Sequence, residues 1–200
     1  MYWSYLLCAV LGYLLCNINV AVLLGKWKGV DIRAVGTNNP GASNVFLSLG
    51  PAMGVLVGAL DILKTAAAIV IAKLVFPDVL YIGYVTGVAC ILGNLFPCFH
   101  GFRGGKGFAT FVGMTLGMHW QFFLGLVVVV ALITLFSGYI VFGTLLSITA
   151  YPVYVFLMDG AWIPVMIIAV ASLAMLYRHR ENFKRLREMK EMKLDLFHRK

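Results

Sequence analysis

Three short stretches carry most of the polar chemistry in this sequence. The first, "GTNNPGASN" at 36–44, sets the hydroxyls of Thr37 and Ser43 and the amides of Asn38, Asn39 and Asn44 around a Pro40-Gly41 turn. Ser43 or Asn44 suits a helix N-cap, but a cap explains one residue of the five. Recognition of a hydroxylated or phosphorylated small molecule explains the whole run. The second stretch, "HGFRGGKGFAT" at 100–110, places Lys106 among Gly104, Gly105 and Gly107. Glycines permit successive N–H groups to point at one anion. A helix opening there adds partial positive charge, and Lys106 and Arg103 add full charges. This is phosphate-binding chemistry without a Walker A loop: the earlier glycine of that motif is missing, and Gly107 stands where a metal-binding Ser/Thr belongs. A glycine-rich basic turn is the plainer alternative. The third stretch is "RHRENFKR" at 178–185. Helical spacing puts His179 and Asn182 on one face beside Arg180, pairs Glu181 with Arg185, and pairs Lys184 with Glu188. Phe183, Leu186 and Met189 form an apolar strip suited to lipid headgroups. A helix that only binds anionic lipid is the alternative here.

The elements that must position these stretches lie in a membrane. Of 200 residues, 62% are hydrophobic and 12% charged, and the mean hydropathy is +0.92. Soluble domains stay near half apolar. The apolar runs fall at 2–25, 51–76, 79–99, 108–136, 139–158 and 161–177. The first lacks a basic leader region and reads as a retained span. Lys26, Lys28 and Arg33, then Arg103 and Lys106, then the basic tail at 178–200 should all face the cytoplasm. That parity requires the run 108–136 to cross twice, broken at "GMHWQ" (117–121). Its first half is then a short helix that protein must shield. The expected fold is therefore an all-α integral membrane protein, a compact bundle of about seven transmembrane helices in a single domain (1–200), with its N-terminus outside and its C-terminus cytoplasmic. The glycine pairs Gly83/Gly87 and Gly113/Gly117 suit close helix packing. Asp61 and Lys64, three residues apart inside a span, are either a functional pair or a structural ion pair. Cys8, Cys16, Cys90 and Cys98 lack metal-type spacing and read as buried free thiols. The net charge of +8 sits largely in the tail, where nine of sixteen Lys/Arg residues lie. No aromatic platform accompanies it, so nucleic acid is not an expected partner.

Three ordered motifs resemble one family, the bacterial acyl-phosphate:glycerol-3-phosphate acyltransferases (PlsY): "GVDIRAVGTNNPGASN" (29–44), "GNLFPCFHGFRGGKGFAT" (93–110) and "HRENFKRL" (179–186). The Leu60–Lys64 run also matches. The resemblance implies a multi-pass enzyme of the bacterial cytoplasmic membrane. It would move a fatty acyl group from acyl phosphate to sn-glycerol 3-phosphate, giving lysophosphatidic acid and phosphate in phospholipid synthesis. It implies those two substrates and membrane lipids as partners, with no cofactor and no metal. Thr37, Asn39, Ser43, Asn44, Lys106, His179 and Asn182 become the expected catalytic set. Gly104, Gly105, Lys106, Gly107 and Arg180 become the phosphate-binding set.

The chain departs from the family pattern at several positions. Asn38 replaces a glycine, Leu47 an arginine and Asn94 a histidine, while "GYIV" (138–141) replaces "RYVS" and "CNIN" (16–19) replaces "GS-x-P". Losing a charged hydrogen bond to a buried anion costs about 2–5 kcal/mol. A non-catalytic lipid- or phosphate-binding paralogue, or an acyltransferase with another acceptor, is thus the alternative reading. Oligomeric state is not legible in the sequence.

Overall fold

The computed structural model describes residues 2–193, and the regular structure among them is all helical, with one 3-10 turn. The far end of the tail, including Asp195, lies outside the described residues. The helices are α1 (Tyr2–Asn17), α2 (Val20–Trp27), α3 (Ala42–Leu49), α4 (Pro51–Val75), α5 (Ile82–Leu95), α6 (Phe108–Met118), α7 (Trp120–Ser137), α8 (Ile140–Asp159), α9 (Trp162–Arg178) and α10 (Arg180–Arg187). Among the described residues, six segments are long and apolar enough to cross a membrane. The eleven-residue α6 is the shorter seventh. Its end at Met118 falls where the polar "GMHWQ" interruption predicts it, and His119 caps it through a bond to the Thr115 carbonyl.

The chain divides into two compact units, one ending at His119 and the other beginning at Trp120. In the first, α5 is the central element: twelve of its fourteen residues are buried. It packs on α1, α4 and α6. The Gly113/Gly117 pair faces α4, and a Cβ at Gly113 would run into the Ile62 carbonyl, so the predicted close packing is met. α3 folds back on α4 after a break at Gly50, whose φ of +98° suits glycine.

The first apolar run is one span, Tyr2–Trp27, as expected, and within it the helix breaks between Asn17 and Val20. One expectation needs correction. Cys98 is exposed, whereas Cys8, Cys16 and Cys90 are buried as expected.

In the second unit α8 packs on α7 and α9. Pro152 lies inside α8, and having no N–H it leaves the Ile148 carbonyl without its helical donor. Ser172 of α9 supplies one, its hydroxyl donating to that oxygen at 3.3 Å. A polar group that lipid would leave unsatisfied thus becomes a tie between two helices.

Candidate active site

The break in the first helix is held by buried polar groups. Asn19 caps α2, its Oδ1 accepting from the Val22 N–H at 2.9 Å. Lys64 Nζ lies 2.6 Å from Asp61 Oδ1 and donates to the Ile18 carbonyl at 2.8 Å. The Asp61 and Lys64 side chains are only 5% and 14% exposed. The expected intramembrane pair therefore exists, and it also satisfies a carbonyl freed by the break.

The 30–44 stretch is anchored by Ile32, which packs in one cluster with Ala21, Val22, Val45 and Val57. At its exposed start, Arg33 donates to Asp31 through both its backbone N–H and Nε, each at 3.1 Å. These bonds hold the Asp31 carboxyl below the usual carboxylate range. Asn44 is fully buried and organises the turn. Its Oδ1 accepts from the Thr37 N–H at 2.7 Å, and its Nδ2 donates to the carbonyls of Ile32 and Val35 at 2.8 and 3.0 Å. A side chain at Gly36 would collide with Asn44 Oδ1. Neither Ser43 nor Asn44 is a cap: α3 begins after Gly41 without a side-chain cap. Thr37, Asn39 and Ser43 are half-buried, and Asn38 is exposed in a left-handed conformation with φ +56°.

The glycine loop closes against this turn. Gly105 N–H donates to the Asn94 carbonyl at 3.0 Å. A Cβ at Gly104 would strike that same oxygen and fall 2.5 Å from Pro97 Cδ, while one at Gly105 would lie 3.2 Å from the Pro40 carbonyl. Gly104 and Gly105 are thus required by close packing, and the Gly105 N–H is committed within the loop. Gly107, at φ +78°, precedes α6, whose first-turn N–H groups have no carbonyl within the helix. Lys106 is half-buried at that entrance and Arg103 is exposed. The chemistry available is anion binding at the α6 N-terminus, beside the hydroxyls and amides of the Asn44-ordered turn.

In the second unit His179 separates α9 from α10. Its Nδ1–H donates to the Met175 carbonyl at 2.8 Å, so the neutral ring carries its lone pair on Nε2. Asn182 Nδ2 donates to Glu191 Oε1 at 2.6 Å, and Arg185 Nε donates to Glu191 Oε2 at 2.8 Å. Arg185 therefore takes Glu191, not the Glu181 that helical spacing suggests. The Lys184–Glu188 pair forms at 4.0 Å. His179 and Asn182 are buried, whereas Arg180 is exposed with its guanidinium 4.1 Å from the Tyr177 ring centre. At Gly138, where φ is +77°, the stem of Lys193 lies 3.5 Å from the position of a Cβ. Sequence reasoning missed Glu191 because it lies past the end of α10, beyond any helical period. It missed the Asn19 connection because nothing in an apolar run containing two asparagines says which loop they meet.

The model of the family described as "Glycerol-3-phosphate acyltransferase" matches residues 6–189. The chain belongs to that family. Its glycerol-3-phosphate acyltransferase relatives include one from Clostridioides difficile (strain 630), 34% identical over 198 residues and covering 96% of each chain. Another, from Aquifex aeolicus (strain VF5), is 38% identical over 180 residues, covering 88% of this chain and 92% of the relative. Among solved structures, the chain is similar to PlsY (YgiH), an integral membrane glycerol 3-phosphate acyltransferase. The glycerol 3-phosphate form aligns with a TM-score of 0.88 and 34% identity over 95% of both chains. The lysophosphatidic acid form aligns with a TM-score of 0.86 and 33% identity over the same share.

Proposed function

We propose that this protein transfers a fatty acyl group from an acyl phosphate to the 1-hydroxyl of sn-glycerol 3-phosphate, at the inner face of a bacterial cytoplasmic membrane. The whole chain acts as one acyltransferase domain, its N-terminus outside and its C-terminus inside. The observation that carries this reading is the close approach of the 36–44 turn to the glycine loop at Pro40 and Gly105. It puts neutral hydrogen bonders beside a cation and a helix N-terminus. The membership of the family supports it, and the basic segments favour this orientation by the positive-inside rule.

In the reaction, the glycerol oxygen attacks the acyl carbonyl carbon, the bond from that carbon to the bridging oxygen breaks, and phosphate leaves with that oxygen and the bonding electrons. The departing phosphate accepts the hydroxyl proton, so no protein base is needed. Lys106 and the first turn of α6 hold phosphate charge as it develops. Gly104, Gly105 and Gly107 let the loop close tightly enough to present them. Thr37, Asn39 and Ser43 orient the reacting groups, and Asn44 holds the turn that carries them. His179 and Asn182 bind the acceptor's oxygens, and exposed Arg180 attracts the anionic substrates. The acyl phosphate donor is favoured by the motif resemblance.

Purified protein given a long-chain acyl phosphate should release phosphate only when sn-glycerol 3-phosphate is present. Lys106→Ala should abolish that release. Folded protein that releases none, beside a working relative, would leave a non-catalytic paralogue.

A further inference from the structure

A break in a membrane helix needs only local caps, yet the break at Ile18 reaches two distant loops. On one side, Asn17 Oδ1 accepts from the Phe99 N–H at 3.4 Å, at the start of the glycine loop. On the other, Asn19 Nδ2 donates to the Pro40 carbonyl at 3.0 Å, within the 36–44 turn. Both asparagines are buried, at 0% and 2% exposure. Lys64, paired with Asp61, donates to the Ile18 carbonyl.

The residue type is informative. Serine, threonine or aspartate would cap α2 as well as asparagine does. A serine or threonine hydroxyl must accept and donate from a single atom and aspartate cannot donate at all, whereas the amide carries acceptor and donor on separate atoms and so reaches the Val22 N–H and the Pro40 carbonyl together. The Pro40 oxygen that Asn19 holds also faces Gly105 at close range, and Gly105 is in turn bonded to Asn94. The amide of Asn19 therefore meets the chain at the junction of the turn and the anion loop.

We propose that Asn19 is a positioning residue that sets the 36–44 turn against the glycine loop, with the Asp61–Lys64 pair holding the helix break from which it acts. This rests on the acyltransferase reading for its consequence in turnover, but not for the placement itself. Misplacing reacting groups by ~1 Å costs about 100-fold in rate, so a loosened turn should register in catalysis before it registers in stability.

The test uses the full chain in detergent or lipid, with Asn19→Ser and Asn19→Asp, both of which retain an oxygen to cap α2. Backbone hydrogen exchange and steady-state kinetics are read together. Exchange should quicken across residues 36–44 while α4 and α5 keep their protection. The kcat/KM for sn-glycerol 3-phosphate should fall about 10- to 100-fold, more for aspartate, whose carboxylate faces the Pro40 carbonyl. Unchanged exchange at 36–44 in both variants would overturn the proposal, as would exchange quickened evenly across the first unit. If the unsubstituted protein shows no acceptor-dependent turnover, the acyltransferase reading falls, and the exchange result still decides the role of Asn19.

Discussion

Asn44 uses both ends of its amide on the backbone around it, accepting from Thr37 and donating to Ile32 and Val35. Composition alone made it one more polar member of a polar run, equal to Ser43. The structure separates the two: Ser43 is half-buried and lacks a capping role, while Asn44 is sealed in. Asn44→Ala strands one N–H and two carbonyls, and each buried group left unsatisfied costs about 1–3 kcal/mol. It should lower the thermal midpoint in detergent by several degrees and abolish turnover. Ser43→Ala should lower turnover at an unchanged midpoint. A stable Asn44→Ala protein with reduced activity would mean that the amide meets substrate instead of holding the turn. The chemistry of this loop was legible in its residue types. Which residue faces inward was not, because that depends on Ile32 and Val45 packing against Val57 of another helix.

At the scale of elements, the short α6 was legible because glycine, histidine and glutamine interrupt an apolar run. The break between α1 and α2 was hidden because the run stays apolar on both sides of "CNIN", with no proline or glycine to mark it. Its carbonyl is satisfied from α4, which no local pattern reveals. Lys64→Met would leave Asp61 buried without its partner. Breaking such a pair costs about 3–5 kcal/mol, while replacing both partners by apolar groups is often neutral. Lys64→Met should therefore destabilise the protein strongly, and Asp61→Leu/Lys64→Met should recover most of the loss in a double-mutant thermal series. Equal loss in the single and double variants would show that the bond to Ile18, not the ion pair, dominates. Gly138 is a second case. The family pattern suggests restoring an arginine there, but φ is +77° and the Lys193 stem lies alongside. Gly138→Arg should lower stability by about 1–3 kcal/mol without raising turnover, as thermal scans and phosphate-release assays on the same preparation would show.

For the whole molecule, alternating charge between apolar runs foretold six long helices and a short one, because the bilayer leaves few ways to satisfy a backbone. The division at His119 falls inside the "GMHWQ" interruption, which foretold a break between helices there but not that two compact units meet at it. One feature of the first unit bears on the proposed orientation. Three of the four thiols are sealed among helices, and Cys98 alone is exposed, in the turn just before the glycine loop. The unaltered protein therefore carries its own single-site reporter. A maleimide that cannot cross lipid should label it in inverted vesicles and spare it in intact cells, with Cys98→Ser as the blank. Labelling from outside would reverse the assigned topology. A fluorophore attached there would sit beside Phe99, whose N–H meets Asn17, so it would report on the helix break without any engineered cysteine.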